Sequence, residues 1–143
     1  MEIGHGRADL LLPGRYRLPM LYERILVGTD GSATAGKAVE RAVKLAKATG
    51  ASLTLLHVGS GPKAQQVVDA EAAKHGDSGV SILPQVRSGD PASVLVEAAE
   101  NEGYDLLVVG NKGMTGAARF FLGSVPNKVS HHAHCSLLIV RTT

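Results

Sequence analysis

One segment of the chain gathers residues able to hold a small anion: Val109-Gly110-Asn111-Lys112-Gly113-Met114-Thr115-Gly116, continuing through Arg119 to Gly123-Ser124. Gly110 and Gly113 lack a Cβ, so they permit a positive φ or the close approach of a ligand to backbone N–H groups. Gly123-Ser124 offers backbone N–H groups and a hydroxyl where a helix would start, and the positive end of that helix favours a negative ligand. Phosphate is the anion best matched. Lys112 and Arg119 can add charge beside it. The plainer alternative is that the glycines only let a long loop turn, that Ser124 only caps a helix and that both cations are solvated.

Other constellations compete and fall short. Gly31-Ser32-Ala33-Thr34-Ala35-Gly36-Lys37-Ala38 nearly spells a P-loop, but Ala38 stands where a hydroxyl must reach Mg²⁺, and no later strand ends in the acidic residue such an enzyme uses for the metal. His131, His132, His134 and Cys135 invite a metal reading. Only His131 and His134 share a helical face, and no second cluster has zinc spacing, so a helix end whose charges suit its dipole is the better reading. His57, at a strand end, reads as a packing residue rather than a base. Neither a nucleophile elbow with Ser-His-Asp nor a placed pair of carboxylates appears: Asp90 is expected to cap a helix and Asp105 to begin a strand.

The elements that position these residues alternate. Ile25 to Thr29 is a short apolar run, and Thr34 to Thr49 places Val39, Ala42, Val43 and Ala46 at helical spacing before a stop at Gly50. Leu53 to Val58 reads as a buried strand, and Pro62 to His75 as a weakly amphipathic helix with Val67, Ala70, Glu71 and Lys74 near one face. Val80 to Arg87 is a strand that Pro84 consigns to a sheet edge, because proline cannot donate to a central ladder. Asp90 then caps a helix opened by Pro91, with Val94, Leu95, Ala98 and Ala99 as its buried stripe. Leu106 to Val109 is the fourth strand, the loop follows, a helix from Ser124 to about His134 comes next, and Leu137 to Arg141 closes as the fifth strand. Strands alternating with helices predict an α/β fold with a parallel sheet covered on both faces.

Composition agrees. The 143 residues are 44% hydrophobic and only 3% aromatic, without tryptophan, so the core must be aliphatic, as strands buried on both faces require. The length suits one domain, read as residues 20–143, with residues 1–19 as a mobile extension carrying no sustained periodicity. A net charge of +2 with no long basic run argues against nucleic acid as partner. No apolar stretch is long enough to span a membrane. The single cysteine, Cys135, cannot form an internal disulfide, which fits a reducing compartment such as the cytoplasm.

The loop spacing, G-x2-G-x9-G-S from Gly110 to Ser124, resembles the ATP-binding signature of the universal stress protein family. The likeness extends, in order, to Arg24-Ile25-Leu26-Val27-Gly28-Thr29-Asp30-Gly31-Ser32, to Leu56-His57-Val58, to Gly89-Asp90-Pro91, to Asp105 through Gly110 and to Cys135 through Arg141, covering about Leu21 to Arg141. The resemblance implies an open, Rossmann-like five-stranded sheet of order 3-2-1-4-5, of the adenine nucleotide alpha hydrolase type, with ATP across the crevice between strands one and four. It places Asp30, with Gly28 and Thr29, at the nucleoside and Val58 against adenine. It puts Gly110, Gly113, Gly123 and Ser124 on the phosphates, with Val109, Met114 and Val125 beside them and Mg²⁺ accompanying the triphosphate. It further implies a stress-response regulator acting by ligand occupancy, with an unidentified signalling partner, and a homodimer through strand five at Leu137, Leu138, Ile139 and Val140. Slow ATP hydrolysis or autophosphorylation from the same cradle, and preference for AMP or a cyclic nucleotide, are the alternatives. The sequence departs from the family pattern at Gly28, where proline is frequent, and at Asn111-Lys112, where serine followed by histidine or arginine is common. The segment between Val58 and Val80 is shorter than in many relatives.

Overall fold

A computed structural model describes residues 21–111 and 135–141. Five strands, β1 (Arg24–Thr29), β2 (Ser52–Val58), β3 (Ile82–Arg87), β4 (Leu106–Gly110) and β5 (Ser136–Val140), form one sheet of order β3-β2-β1-β4-β5. Every adjacent pair is parallel. Helices α1 (Ala33–Thr49), α2 (Lys63–Ala73) and α3 (Pro91–Asn101) connect the first four strands. The α/β class and the strand order are therefore those expected from the sequence.

Local chemistry sets the helix ends. The Ser32 hydroxyl accepts a hydrogen bond from Ala35 N at 3.1 Å and starts α1; Gly50, at φ 78°, ends it, its N–H donating to Ala46 O at 2.8 Å. The buried stripe is Ala35, Ala38, Val39, Ala42, Val43 and Ala46, one face of a 3.6-residue period. Asp90 caps α3 by accepting from Ser93 N at 3.0 Å, ahead of Pro91 in the first turn. Because α1 starts at Ala33, Gly36 and Lys37 sit inside the helix rather than ahead of it. Gly36 N already donates to Ser32 O, so this segment is not a phosphate-binding P-loop.

The sheet divides two aliphatic cores. Ile25, Val27, Leu53, Leu55, Leu106 and Val108 face α1 and Val68 of α2, whereas Leu26, Leu56, Val58, Leu107 and Val109 face α3 through Leu95, Val96, Ala98 and Ala99. Burial on both faces is why β1 and β4 read as unbroken apolar runs. Pro84 is on edge strand β3, as its missing N–H requires.

Two expectations about helix faces are corrected. In α2 the buried residues are Ala64, Val68 and Glu71, while Val67 is half-buried and Ala70 and Lys74 are exposed. Adjacent valines leave the phase of a weak stripe open, and packing on β2 and β3 selects Val68. In α3 the buried set is Ala92, Leu95, Val96, Ala98 and Ala99, with Val94 half-buried. On edge strand β5, Val140 is buried within the chain itself, so the apolar surface of that strand belongs to half-buried Leu137, Leu138 and Ile139. The extension at residues 1–19 and the helix expected from Ser124 to His134 lie outside the described residues.

Candidate functional site

Three strand ends and one turn form the site. β1 stops at Thr29, β2 at Val58 and β4 at Gly110. Val27 pairs with Val108, so Thr29 and Gly110, each two residues further on, stand level at the carboxyl edge of neighbouring strands. α1, which follows β1, and α3, which precedes β4, cover opposite faces. The chain therefore parts at β1 and β4, the topological switch point where open α/β sheets leave a crevice for ligands.

The turn after β1 is wired by its own side chains. The buried Thr29 Oγ1 accepts from Gly31 N at 3.0 Å, Asp30 Oδ1 from Ser32 N at 2.9 Å, and Ser32 Oγ lies 3.2 Å from Thr34 Oγ1. Gly31 has φ +83°, and a Cβ there would stand 2.7 Å from Val67 Cγ1, so both backbone conformation and space demand glycine. These contacts hold the half-buried Asp30 carboxylate at the strand end. A carboxylate presents about four acceptor sites, so Asp30 retains capacity beyond Ser32. Such an acceptor suits a hydroxyl donor and would repel a phosphate.

The other described positions have different parts. Val58, 8% exposed, closes the α3-side core and keeps a small apolar surface at the end of β2; Val109, at 2%, is core, so its offer to a ligand is its backbone. Gly28 serves packing, since a Cβ would stand 2.9 Å from Leu95 Cδ1 of α3. Gly110 ends β4 beside Val140, and Asn111 N donates to Val140 O at 2.9 Å. Thus Gly28, Thr29, Asp30, Val58, Val109 and Gly110 cluster around the carboxyl edge of β1, β2 and β4. Lys112, Gly113, Met114, Arg119, Gly123, Ser124 and Val125, the phosphate half of the expected cradle, lie outside the described residues, as do His131, His132 and His134.

One residue of this edge has a larger part than packing. His57, the register partner of Thr29, directs Nδ1 to the Thr29 carbonyl at 2.9 Å. A carbonyl only accepts, so Nδ1 carries the hydrogen. No local pattern announces this bond, because the pairing of two strands creates it.

Cys135 is buried before β5, its Sγ donating to Ser136 O at 3.4 Å. Burial first, then the negative charges of Asp105 and Glu100, push the thiol up to about 11. It stays protonated near neutrality and is not an activated nucleophile. Among the described residues, no three His, Cys, Asp or Glu side chains converge on a metal site, and no helix is long and apolar enough to cross a membrane.

Comparison with known proteins gives a consistent result. The sequence matches the universal stress protein family profile over residues 21–75 and 60–141. It is 30% identical to the universal stress protein YxiE of Bacillus subtilis (strain 168), the match covering 85% of this chain and all of that protein. It is 34% identical to the universal stress protein Rv1636 of Mycobacterium tuberculosis (strain H37Rv), covering 85% of this chain and 98% of that one. Among solved structures, the fold resembles that of a universal stress protein in complex with cAMP at a TM-score of 0.71 and 34% identity, covering 85% of this chain and 98% of the other.

Proposed function

The chain belongs to the universal stress protein family, and from that premise we propose that it is an adenine-nucleotide-binding regulator of a stress response, acting in the cytoplasm by ligand occupancy rather than turnover. The observation that carries the reading is that β1 and β4 end level at Thr29 and Gly110 at the switch point, with the half-buried Asp30 next after Thr29 and the largely buried Val58 ending β2. An anionic acceptor and an apolar margin fit the two halves of a nucleoside.

In this reading Asp30 accepts from a ribose hydroxyl and Val58 bounds the adenine ring. Gly28, Thr29 and the Val109 backbone shape the floor, while Gly110, Gly113, Gly123 and Ser124, with Met114 and Val125 adjacent, receive the phosphates through backbone N–H groups and a hydroxyl. Lys112 and Arg119 add positive charge there. Mg²⁺ accompanies ATP, bound largely by phosphate oxygens and water, and neutralises part of the triphosphate charge. Occupancy alters the surface offered to a signalling partner.

A specific observation supports a second reading, in which the preferred ligand is cyclic AMP: the similar solved structure holds cAMP. Calorimetric titration of ATP, AMP and cAMP into nucleotide-free protein separates the two, with Gly113→Val as control. Binding of at least one, lost in the variant, supports the cradle; absence of binding to all three overturns it.

We also propose a homodimer through β5, the last strand of the described sheet, where Leu137, Leu138 and Ile139 are half-buried in the single chain and pairing would cover them. Ile139→Asp should convert a dimer to monomer in sedimentation velocity. A monomeric parent protein contradicts this.

A further inference from the structure

His57 stands between two backbone segments that the proposed site requires. On one side Nδ1 donates to the Thr29 carbonyl at 2.9 Å. On the other the ring occupies the space beside Gly59: a Cβ on Gly59 would lie 2.7 Å from Nε2 and 3.2 Å from Cε1. Gly59 is itself fixed to β3, its N–H donating to Arg87 O at 2.8 Å. The half-buried imidazole therefore joins the end of β1 to the start of the connection leaving β2.

The bond bears on one peptide unit. The Thr29 carbonyl belongs to the planar group that also contains the Asp30 N–H, so holding this oxygen fixes the plane from which Asp30 departs. Downstream, Asp30 Oδ1 is turned by Ser32 N, and Thr29 Oγ1 is engaged by Gly31 N. Ring, carbonyl, side-chain hydroxyl and amide hydrogens thus fix the Asp30 carboxylate at both ends of its residue. A hydrogen bond to a ribose hydroxyl tolerates little displacement, so such bracing has a direct effect on affinity.

We propose that His57 is a positioning residue for nucleoside recognition, its Nδ1–H holding the Thr29 carbonyl so that Asp30 meets the ribose hydroxyls. This rests on the reading of the strand ends as an adenine-nucleotide site. Three variants and two ligands test it: His57→Gln, His57→Asn and Asp30→Asn, titrated with AMP and with 2′,3′-dideoxy-AMP, which lacks the hydroxyls Asp30 would meet. Asn can set an amide donor near the Nδ1 position; Gln sets it near Nε2.

The parent protein should prefer AMP to the dideoxy analogue. His57→Gln should weaken AMP roughly five- to tenfold, the effect of one hydrogen bond, and leave the analogue within about twofold. His57→Asn should restore most of the AMP affinity, and Asp30→Asn should abolish the preference. Equal weakening of both ligands by His57→Gln indicates packing alone and overturns the proposal, as does an unchanged AMP affinity. A parent protein that binds neither ligand overturns the underlying nucleotide reading and this inference with it, a result evident before any variant is made. Should His57→Gln not fold, the ring ¹⁵N spectrum of the parent protein decides: a hydrogen on Nδ1 is expected, and an Nδ1 without one overturns the bracket.

Discussion

The two ends of the same strands are built to opposite purposes. At the amino edge, polar groups are spent on closing the fold: the Asp105 carboxylate accepts from Glu23 N at 2.9 Å and Arg24 N at 3.2 Å, while Arg24 stacks 4.4 Å over the Tyr104 ring and donates to Glu102 O. Beneath them Tyr104 OH donates to Thr54 Oγ1 at 2.7 Å, fully buried. At the carboxyl edge the bonds run within a turn or to the backbone beside it, from Thr29, Asp30, Ser32 and His57, and a carboxylate keeps acceptor sites in reserve. Side-chain ties about 80 residues apart in sequence fasten one edge; at the other, the Asp30 turn is wired locally and braced by His57 from the neighbouring strand. With the proposed site at the carboxyl edge, stability and recognition would lie at opposite ends of the sheet, so substitutions at the two edges should fail in different ways.

The largest effect is expected from Asp105→Ala. Losing two hydrogen bonds to a charged acceptor should cost roughly 2–3 kcal/mol, read as a lower urea midpoint at unchanged slope. Nucleotide affinity of the folded protein should be unaltered. A fall in affinity as large as that in stability would break the comparison. Next, Asp30→Asn keeps an acceptor for Ser32 N but removes the charge. Nucleotide affinity should drop about tenfold, near 1.4 kcal/mol, with little change in the melting temperature.

Tyr104→Phe sharpens the contrast by removing a single buried hydroxyl. Thr54 Oγ1 loses its donor, and unfolding free energy should fall by about 1 kcal/mol while calorimetric binding is unaffected. The smallest effect belongs to the Arg87–Glu102 ion pair, at 2.5 Å with side chains 32% and 38% exposed. The hydrogen bond from Arg87 holds the Glu102 carboxyl below its ordinary value of 4.5 and the same contact raises Arg87. A depressed carboxyl contributes stability that is present above the ordinary glutamate range and is lost as pH falls through the lowered value. Arg87→Met should cost under about 1 kcal/mol near neutrality, after solvent screening, and the difference from the parent should vanish at acid pH.

What the sequence could disclose follows the same division. Strands β1, β2 and β4 were legible because burial on both faces leaves apolar runs, and Pro84 marked β3 as an edge before any pairing was known. Caps at Asp90 and Gly50 were legible because the chemistry is local. Ser32 as the cap of α1 was not: Thr34 competes with it, and the Ser32 hydroxyl prevails through Ala35 N. The stripe of α2 was misjudged because Val67 and Val68 offer two phases, and only contact with the rest of the fold chooses between them. Asp30, Val58 and Gly110 could be singled out by resemblance, yet the bond from His57 to Thr29 and the clasp of Asp105 on Glu23 and Arg24 depend on strand register. Such pairs sit 28 and more than 80 residues apart and leave no local signature.

The most direct test is an amide ¹H–¹⁵N map of the isotope-labelled protein titrated with AMP. Shifts concentrated at residues 29–32, 57–59 and 110–111, with the amides of residues 23–24 and 102–105 unmoved, are the predicted result. Shifts centred on the amino edge, or none at the carboxyl edge at saturating ligand, would contradict the account.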